Sequence, residues 1–214
     1  MKKTVIWIIL IVLFLLMSYF LYYFNVIPHK QYTNKDFNIE IYTSKTDKDQ
    51  DGIDDQTDIL HNVREYIQRK PKYKSKYYAS GYPNDEYGVC TDVIGYGLLH
   101  AGYDLMELVN QDILQNKDLY SISKPDKNID FRRVRNLNIY FKRYAITLTT
   151  DLSEIQQWQG GDIVVFKKHI GIVSDKRNKD GIPFVIHHAN PYQIHYEEDI
   201  LGTWGTIIGH YRIS

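Results

Sequence analysis

Hydrophobic residues first cluster at the N-terminus, where VIWIILIVLFLLMSYFLYYF, Val5 to Phe24, carries no charge. At about 1.5 Å per residue such a helix reaches about 30 Å, the thickness of a bilayer core. Lys2 and Lys3 precede it. It ends in Tyr19, Phe20, Tyr22, Tyr23 and Phe24, with no small-x-small cleavage site. Aromatics at that depth suit a membrane interface. The expectation is an uncleaved signal anchor over residues 1–24, with a cytoplasmic N-terminus and the remainder extracytoplasmic at a bacterial cell membrane. A cleaved signal peptide is the alternative.

Beyond it the period changes. Residues 25–46 are polar without a clear repeat and read as a linker. From Thr57, the positions Ile59, Leu60, Val63 and Ile67 form one helical stripe, closed by Lys70-Pro71. Residues 72–88 are rich in Tyr, Gly and Pro and read as loop. In 88–105, Val93, Ile94, Gly97, Leu98 and Ala101 share a helix face that Gly102 ends. Short helices are expected over 106–115 and 134–144, around a loop at Pro125. Strands follow at 162–166, 169–175, 183–189 and 207–213, separated by turn signals such as KRNKDG. Helices first and an antiparallel sheet last predict an α+β domain over 57–214.

Composition narrows the partners. The 26 basic residues balance 26 acidic ones, so nothing draws the chain to nucleic acid. The single cysteine, Cys90, excludes an internal disulfide and multi-thiolate metal sites. Nineteen tyrosines suit an aromatic-lined groove, although a general bias toward Lys, Ile, Tyr and Asn explains them as well.

Cys90 falls where a loop becomes a helix. Free N–H groups and the helix dipole there favour a thiolate, and the same amides suit an oxyanion. Gly88 allows close backbone approach. A buried structural cysteine is the competing explanation. His169 opens the strand HIGIVSD, with Gly171 leaving room on the same face. In the next strand His187 and His188 point to opposite faces, so one of the two is the candidate orienter of His169; Asn190 is a weaker one.

The order of these segments carries a resemblance. A cysteine at a helix start, then W-x-x-GDIVVF, HIGIVSD and VIHHA, resembles the NlpC-type bacterial cell-wall cysteine peptidases. The motifs GVCTDV (88–93), PDKNIDFRRV (125–134), LNIYFKR (137–143), WQGGDIVVF (158–166), HIGIVSD (169–175), VIHH (185–188) and GHYR (209–212) resemble a bacterial family catalogued as domain of unknown function 1287. The resemblance implies a papain-like fold, with Cys90 as nucleophile, His169 as base, His187 as third residue and Tyr87 near the oxyanion site. It also implies a cysteine peptidase or amidase that forms a thioester, with peptidoglycan stem peptides as substrate and no cofactor needed for catalysis. The 79-residue separation of Cys90 and His169 is longer than NlpC-type enzymes usually show. The segment 106–157 has no counterpart there. Its Arg132 and Arg133 offer either a substrate-carboxylate clamp or a structural ion pair with Asp126 or Asp130. A non-catalytic wall-binding or assembly protein, and a Cys-dependent acyltransferase, are the other functions that fit.

Residues 47–58, DKDQDGIDDQTD, match an EF-hand-type loop. Asp47, Asp49 and Asp51 take positions 1, 3 and 5, and Gly52 the sharp turn. The Ile53 carbonyl, Asp55 and Asp58 take positions 7, 9 and 12. A structural calcium ion is expected. Asp in place of Glu at position 12 shortens the reach, and a solvated acidic linker is the simpler alternative.

Overall fold

The structure is a computed structural model and describes residues 2–24 and 26–213. Helix α1 (Lys2–Tyr23) is apolar on all sides and long enough to cross a membrane, with a mean hydropathy of 2.7. Most of its side chains are exposed; Trp7 is 67% exposed and Phe14 70%. In water that surface would be a liability, and in lipid it is what a spanning helix needs.

The remaining chain forms helices against one sheet. In order come β1 (Tyr32–Thr33), α2 (Asp55–Gln68), β2 (Lys72–Tyr73), β3 (Tyr87–Gly88) and α3 (Cys90–His100). Then follow α4 (Leu105–Gln115), α5 (Lys117–Tyr120), α6 (Lys127–Asp130), α7 (Val134–Tyr144) and β4 (Ile146–Thr147). The C-terminal strands are β5 (Ile163–Phe166), β6 (His169–Arg177), β7 (Pro183–Ile186), β8 (Glu197–Glu198) and β9 (Ile207–Arg212). The main sheet is antiparallel, in the order β4-β9-β5-β6-β7-β8, with β1 added to the far end of β6. A small parallel pair joins β2 to β3, with Tyr73 opposite Gly88. The α+β architecture is as the periodicity predicts.

Alternation along β5 buries both faces. Ile163 and Val165 join the large core with Ile59, Val63, Val93, Ile94 and Leu98 of α2 and α3. Val164 and Phe166 face Trp158, Val173, Val185, Ile200 and Leu201 on the other side. Each fully buried aliphatic chain contributes about 1.5–3 kcal/mol. Helix α3 is the centre of the molecule, packed between α2 and β6. A Cβ on Gly97 would stand 2.3 Å from Val63 Cγ1, so glycine is what lets α2 and α3 approach so closely.

Within the stretch expected as a linker, residues 32–42 contact the domain. Tyr32 and Thr33 pair with Arg177 and Lys176 of β6. Asn34 is buried and accepts from Arg177 Nε at 2.6 Å, while Gln159 Nε2 donates to Glu40 O at 3.0 Å. The polar side chains of this stretch complete the domain, and an apolar period carries no signal of that kind.

A buried polar knot holds the start of β5. Asp162 Oδ1 accepts from Gln56 Nε2 at 2.9 Å and Arg212 Nε at 2.7 Å. Asp162 Oδ2 accepts from the Gln159 N–H at 2.8 Å and Arg212 Nη2 at 2.8 Å, and lies 3.0 Å from His210 Nε2. His210 also stacks flat on Trp158, centroids 3.7 Å apart. The Gly-Asp and Gly-His-Tyr-Arg segments are therefore two halves of one structural device.

Candidate active site

Cys90 is the first residue of α3 and is partly exposed. Its neighbours fix the helix start. The Asp92 carboxylate accepts the Val89 N–H at 2.8 Å. It also takes a buried two-pronged ion pair from Arg132, with Nε at 2.6 Å and Nη2 at 2.9 Å. Arg132 Nη1 donates to Lys76 O at 2.7 Å. Arg132 is thus structural, and its partner is Asp92, not the nearby Asp126 or Asp130. Arg133 is exposed, 3.5 Å from Asp130. A Cβ on Gly88 would meet Tyr66 Oη at 2.1 Å, so a side chain there would displace the loop that delivers Cys90.

The Ile170 N–H points at the Cys90 sulfur, as do the N–H groups of Thr91 and Cys90 itself. The thiol therefore stands beside the main chain that carries His169. His169 is buried, and its Nε2 lies 2.9 Å from His187 Nδ1. His187 Nε2 lies in turn 2.8 Å from Glu198 Oε2. Gly171 makes this close packing fit, since a Cβ there would come within 3.3 Å of His187 Cβ and 2.9 Å of Ile186 O. Trp204 covers the pair, its ring 4.7 Å from that of His169 and 5.3 Å from that of His187.

Of the two adjacent histidines, His187 faces His169. His188 faces away, edge-on to Tyr73 at 5.2 Å and to Tyr196 at 5.1 Å. Tyr87 lines one recess with Tyr73 and His188. Its ring lies against the ammonium groups of Lys74 and Lys76, at 5.2 and 4.8 Å, and its hydroxyl bonds Glu86. The tyrosine near the sulfur is Tyr73, whose phenol is raised by burial and by Cys90. The β2–β3 register, Tyr73 against Gly88, brings it there. Sequence reasoning passed over Tyr73, Glu198 and Trp204. Only the acidic pair in HYEED and Trp204, one of three tryptophans, marked the last two.

The electrostatics differ from the helix-start expectation. Burial pushes the Cys90 thiol up to about 11, outweighing the lowering by the Ile170, Thr91 and Cys90 N–H groups. Burial and His187 push His169 down to about 3, and burial alone takes His187 to about 3. At neutral pH the Cys90 thiol and the His169 and His187 imidazoles are therefore all uncharged. Glu198 is raised to about 7 by burial, opposed by the Gln193 amide and by His195 and His29.

In the acidic loop, Asp47, Asp49 and Asp51 bring carboxylate oxygens within 4.8 Å of one another. Asp58 lies close to Asp49 and Asp51, and burial with those two charges raises it to about 6. The loop is closed by its own bonds, Gly52 N–H to Asp47 Oδ2 at 2.9 Å and Ile53 N–H to Asp51 Oδ1 at 2.8 Å. Asp55 does not join the cluster. It is buried and accepts from the Lys48 N–H at 2.7 Å, from Thr46 Oγ1 and from Tyr103 Oη. Three donors satisfy a carboxylate that burial would otherwise penalise.

The sequence profile of a family described as "Domain of unknown function (DUF1287)" matches residues 60–213. The chain is also similar to a protein of Escherichia coli (strain K12) described as "Uncharacterized protein YijF". The two are 38% identical over 151 residues, 66% of this chain and 72% of that protein. No solved structure matches.

Proposed function

The chain belongs to the DUF1287 family, and for it we propose a cysteine hydrolase that cleaves amide bonds through Cys90, His169 and His187. What supports this reading is the His169–His187–Glu198 relay, together with the Cys90 sulfur lying against the Ile170 N–H, one residue along the chain from His169. The likeness of the motifs to NlpC-type peptidases supports a papain-like assignment. With α1 as anchor, the domain lies outside the cytoplasm, where peptidoglycan stem peptides are the amide substrate at hand.

In this reading the ionised Glu198 accepts the His187 Nε2 proton. His187 Nδ1 then accepts from His169 Nε2–H, which leaves His169 Nδ1 with its lone pair free. The Cys90 proton passes to that nitrogen as sulfur attacks the amide carbon. The Cys90 and Thr91 N–H groups, with the Tyr73 hydroxyl, hold the developing oxyanion. His169 returns the proton to the leaving amine, and water hydrolyses the thioester. The test is to incubate the full chain, in detergent or vesicles, with purified peptidoglycan. New amino termini seen by mass spectrometry are the expected result. Unchanged material with a Cys90 that no thiol probe labels at neutral pH would reject the proposal.

The relay predicts a pH dependence with a definite sign. Below about 7 Glu198 is protonated and donates to His187 Nε2. The His187 proton then sits on Nδ1 and forces the His169 proton onto its own Nδ1, which removes the base. Activity should therefore rise as pH climbs through about 7. In Glu198→Gln that acid limb should disappear from the kcat/KM profile. The same limb in the variant would exclude Glu198 as its source.

A calcium ion is proposed at Asp47, Asp49, Asp51 and Asp58, with the Ile53 carbonyl, as a structural element ahead of α2. The convergence of three carboxylates supports it. Millimolar calcium should raise the melting temperature of the wild type and leave Asp49→Asn/Asp51→Asn unchanged. An equal response in both would mean that no ion binds there.

A further inference from the structure

Between the end of α1 and the domain lies a cavity of about 620 Å³. Phe20, Tyr23 and Phe24 wall it on the anchor side, and Tyr192, Ile194 and Trp204 on the other. That volume is in the range of small-molecule sites. The joint around it is tied. Tyr22 stacks on His29 with centroids 4.0 Å apart. The two nitrogens of His29 bridge Asp199 Oδ2 and Tyr22 O, each at 2.9 Å. The rim is apolar and open to solvent, with Tyr192 88% and Ile194 61% exposed.

Two features of this cavity bear on the site. Trp204 walls the cavity and also covers His169 and His187. Glu198 lines it and bonds His187. Across the Asn190–Gln193 turn, which lines both, is a second recess of about 370 Å³. It holds Lys70, Lys72, Tyr73 and His188, with the Lys72 ammonium paired to Glu86 at 2.8 Å. His188 Nδ1 there is buried without a hydrogen-bond partner among the described residues. Tyr73 links this recess to Cys90.

We propose that these adjoining spaces take an anionic, lipid-borne substrate, its hydrocarbon chain between the end of α1 and Trp204 and its charged head at Lys70 and Lys72, beside Cys90. The proposal deepens the hydrolase reading and rests on it for the chemistry, though not for the binding. The occupant follows from position. A bilayer-spanning α1 sets Phe20, Tyr23 and Phe24 at the boundary of hydrocarbon and headgroups. The cavity is continuous with that boundary, and what the bilayer supplies there is lipid chains. Lys70, which has no ion pair among the described residues, favours an anionic head, while Lys72 is already paired with Glu86 at 2.8 Å. His188 Nδ1 offers a polar contact that no described residue fills.

The test uses the full chain in phosphatidylcholine vesicles that hold a minor fraction of phosphatidylglycerol with a diazirine-bearing acyl chain. After photolysis, adducts are mapped by peptide mass spectrometry. Adducts on Tyr192, Ile194 or Trp204, besides those on α1, are expected. Adducts confined to α1 would overturn the proposal. Tyr192→Asp/Ile194→Asp, both exposed positions, should lose the loop adducts and keep those on α1. Exchanging the photoreactive lipid for its phosphatidylcholine counterpart should lower loop labelling several-fold in the wild type but not in Lys70→Glu/Lys72→Glu. Equal labelling by both lipids in the wild type would remove the anionic head from the proposal. Cys90→Ala should label as the wild type does, so failure of the hydrolase reading and failure of this one are told apart. Equal kcat/KM on lipid-linked and lipid-free forms of one peptide would count against it as well.

Discussion

Cys90→Ala should abolish amide hydrolysis, with kcat falling on the order of 10⁶-fold, the loss a hydrolase shows without its nucleophile. The melting temperature should stay close to that of the wild type. Cys90 is partly exposed and its side chain is small, so the cavity left behind is minor. The helix start is held independently, by Asp92 accepting the Val89 N–H and pairing with Arg132. His169→Ala should lose comparable activity, because the proposed mechanism assigns His169 as the base. The discriminating measurement is the double variant. If Cys90 and His169 act as one unit, Cys90→Ala/His169→Ala is no slower than either single variant. A Cys90→Ala protein that still releases the same products at the wild-type rate would end the thioester mechanism.

Asp162→Ala should produce the largest loss of stability. It leaves Arg212, His210 and Gln56 without their shared acceptor in a site with no water access. Breaking a buried ion pair on one side costs about 3–5 kcal/mol. At roughly 2–4 °C per kcal/mol for a domain of this size, the melting temperature should fall by about 6–20 °C. Asp162→Asn keeps the volume and one acceptor and should lose about half as much. Thermal unfolding followed by circular dichroism separates the three proteins. Identical midpoints would mean that the network contributes nothing to folding.

The strands were legible as short apolar runs bounded by turn signals. GDIVVF, HIGIVSD and the stretch ending in VIHH each bury both faces, and their hydrophobic positions survive in any context. Helix 134–144 was legible through its amphipathic period. The same period says nothing of β1, two residues long and held by Arg177 and Lys176. Glu198 escaped notice for a related reason. It sits in a two-residue strand inside a polar stretch, and only pairing with β7 turns it toward His187. Tyr87 lies nearer to Cys90 in sequence than Tyr73, yet the parallel β2–β3 register favours Tyr73. The thiol shows the limit of position as a guide. A helix start lowers its pKa, but the surrounding side chains decide the desolvation that raises it. Asp55 fits an EF-hand position by spacing, and three donors from Lys48, Thr46 and Tyr103 claim it instead.

The early joining of β1 to β6 sets a leash length. Tyr23 ends α1 and Tyr32 opens β1, so at full extension the intervening chain spans roughly 30 Å. The observed span is shorter still, since His29 is clamped to both Tyr22 and Asp199. With α1 in the bilayer, Cys90 has no slack with which to sweep through the space beyond the membrane. It patrols a thin layer by lateral diffusion, and bonds beyond that layer must come to it.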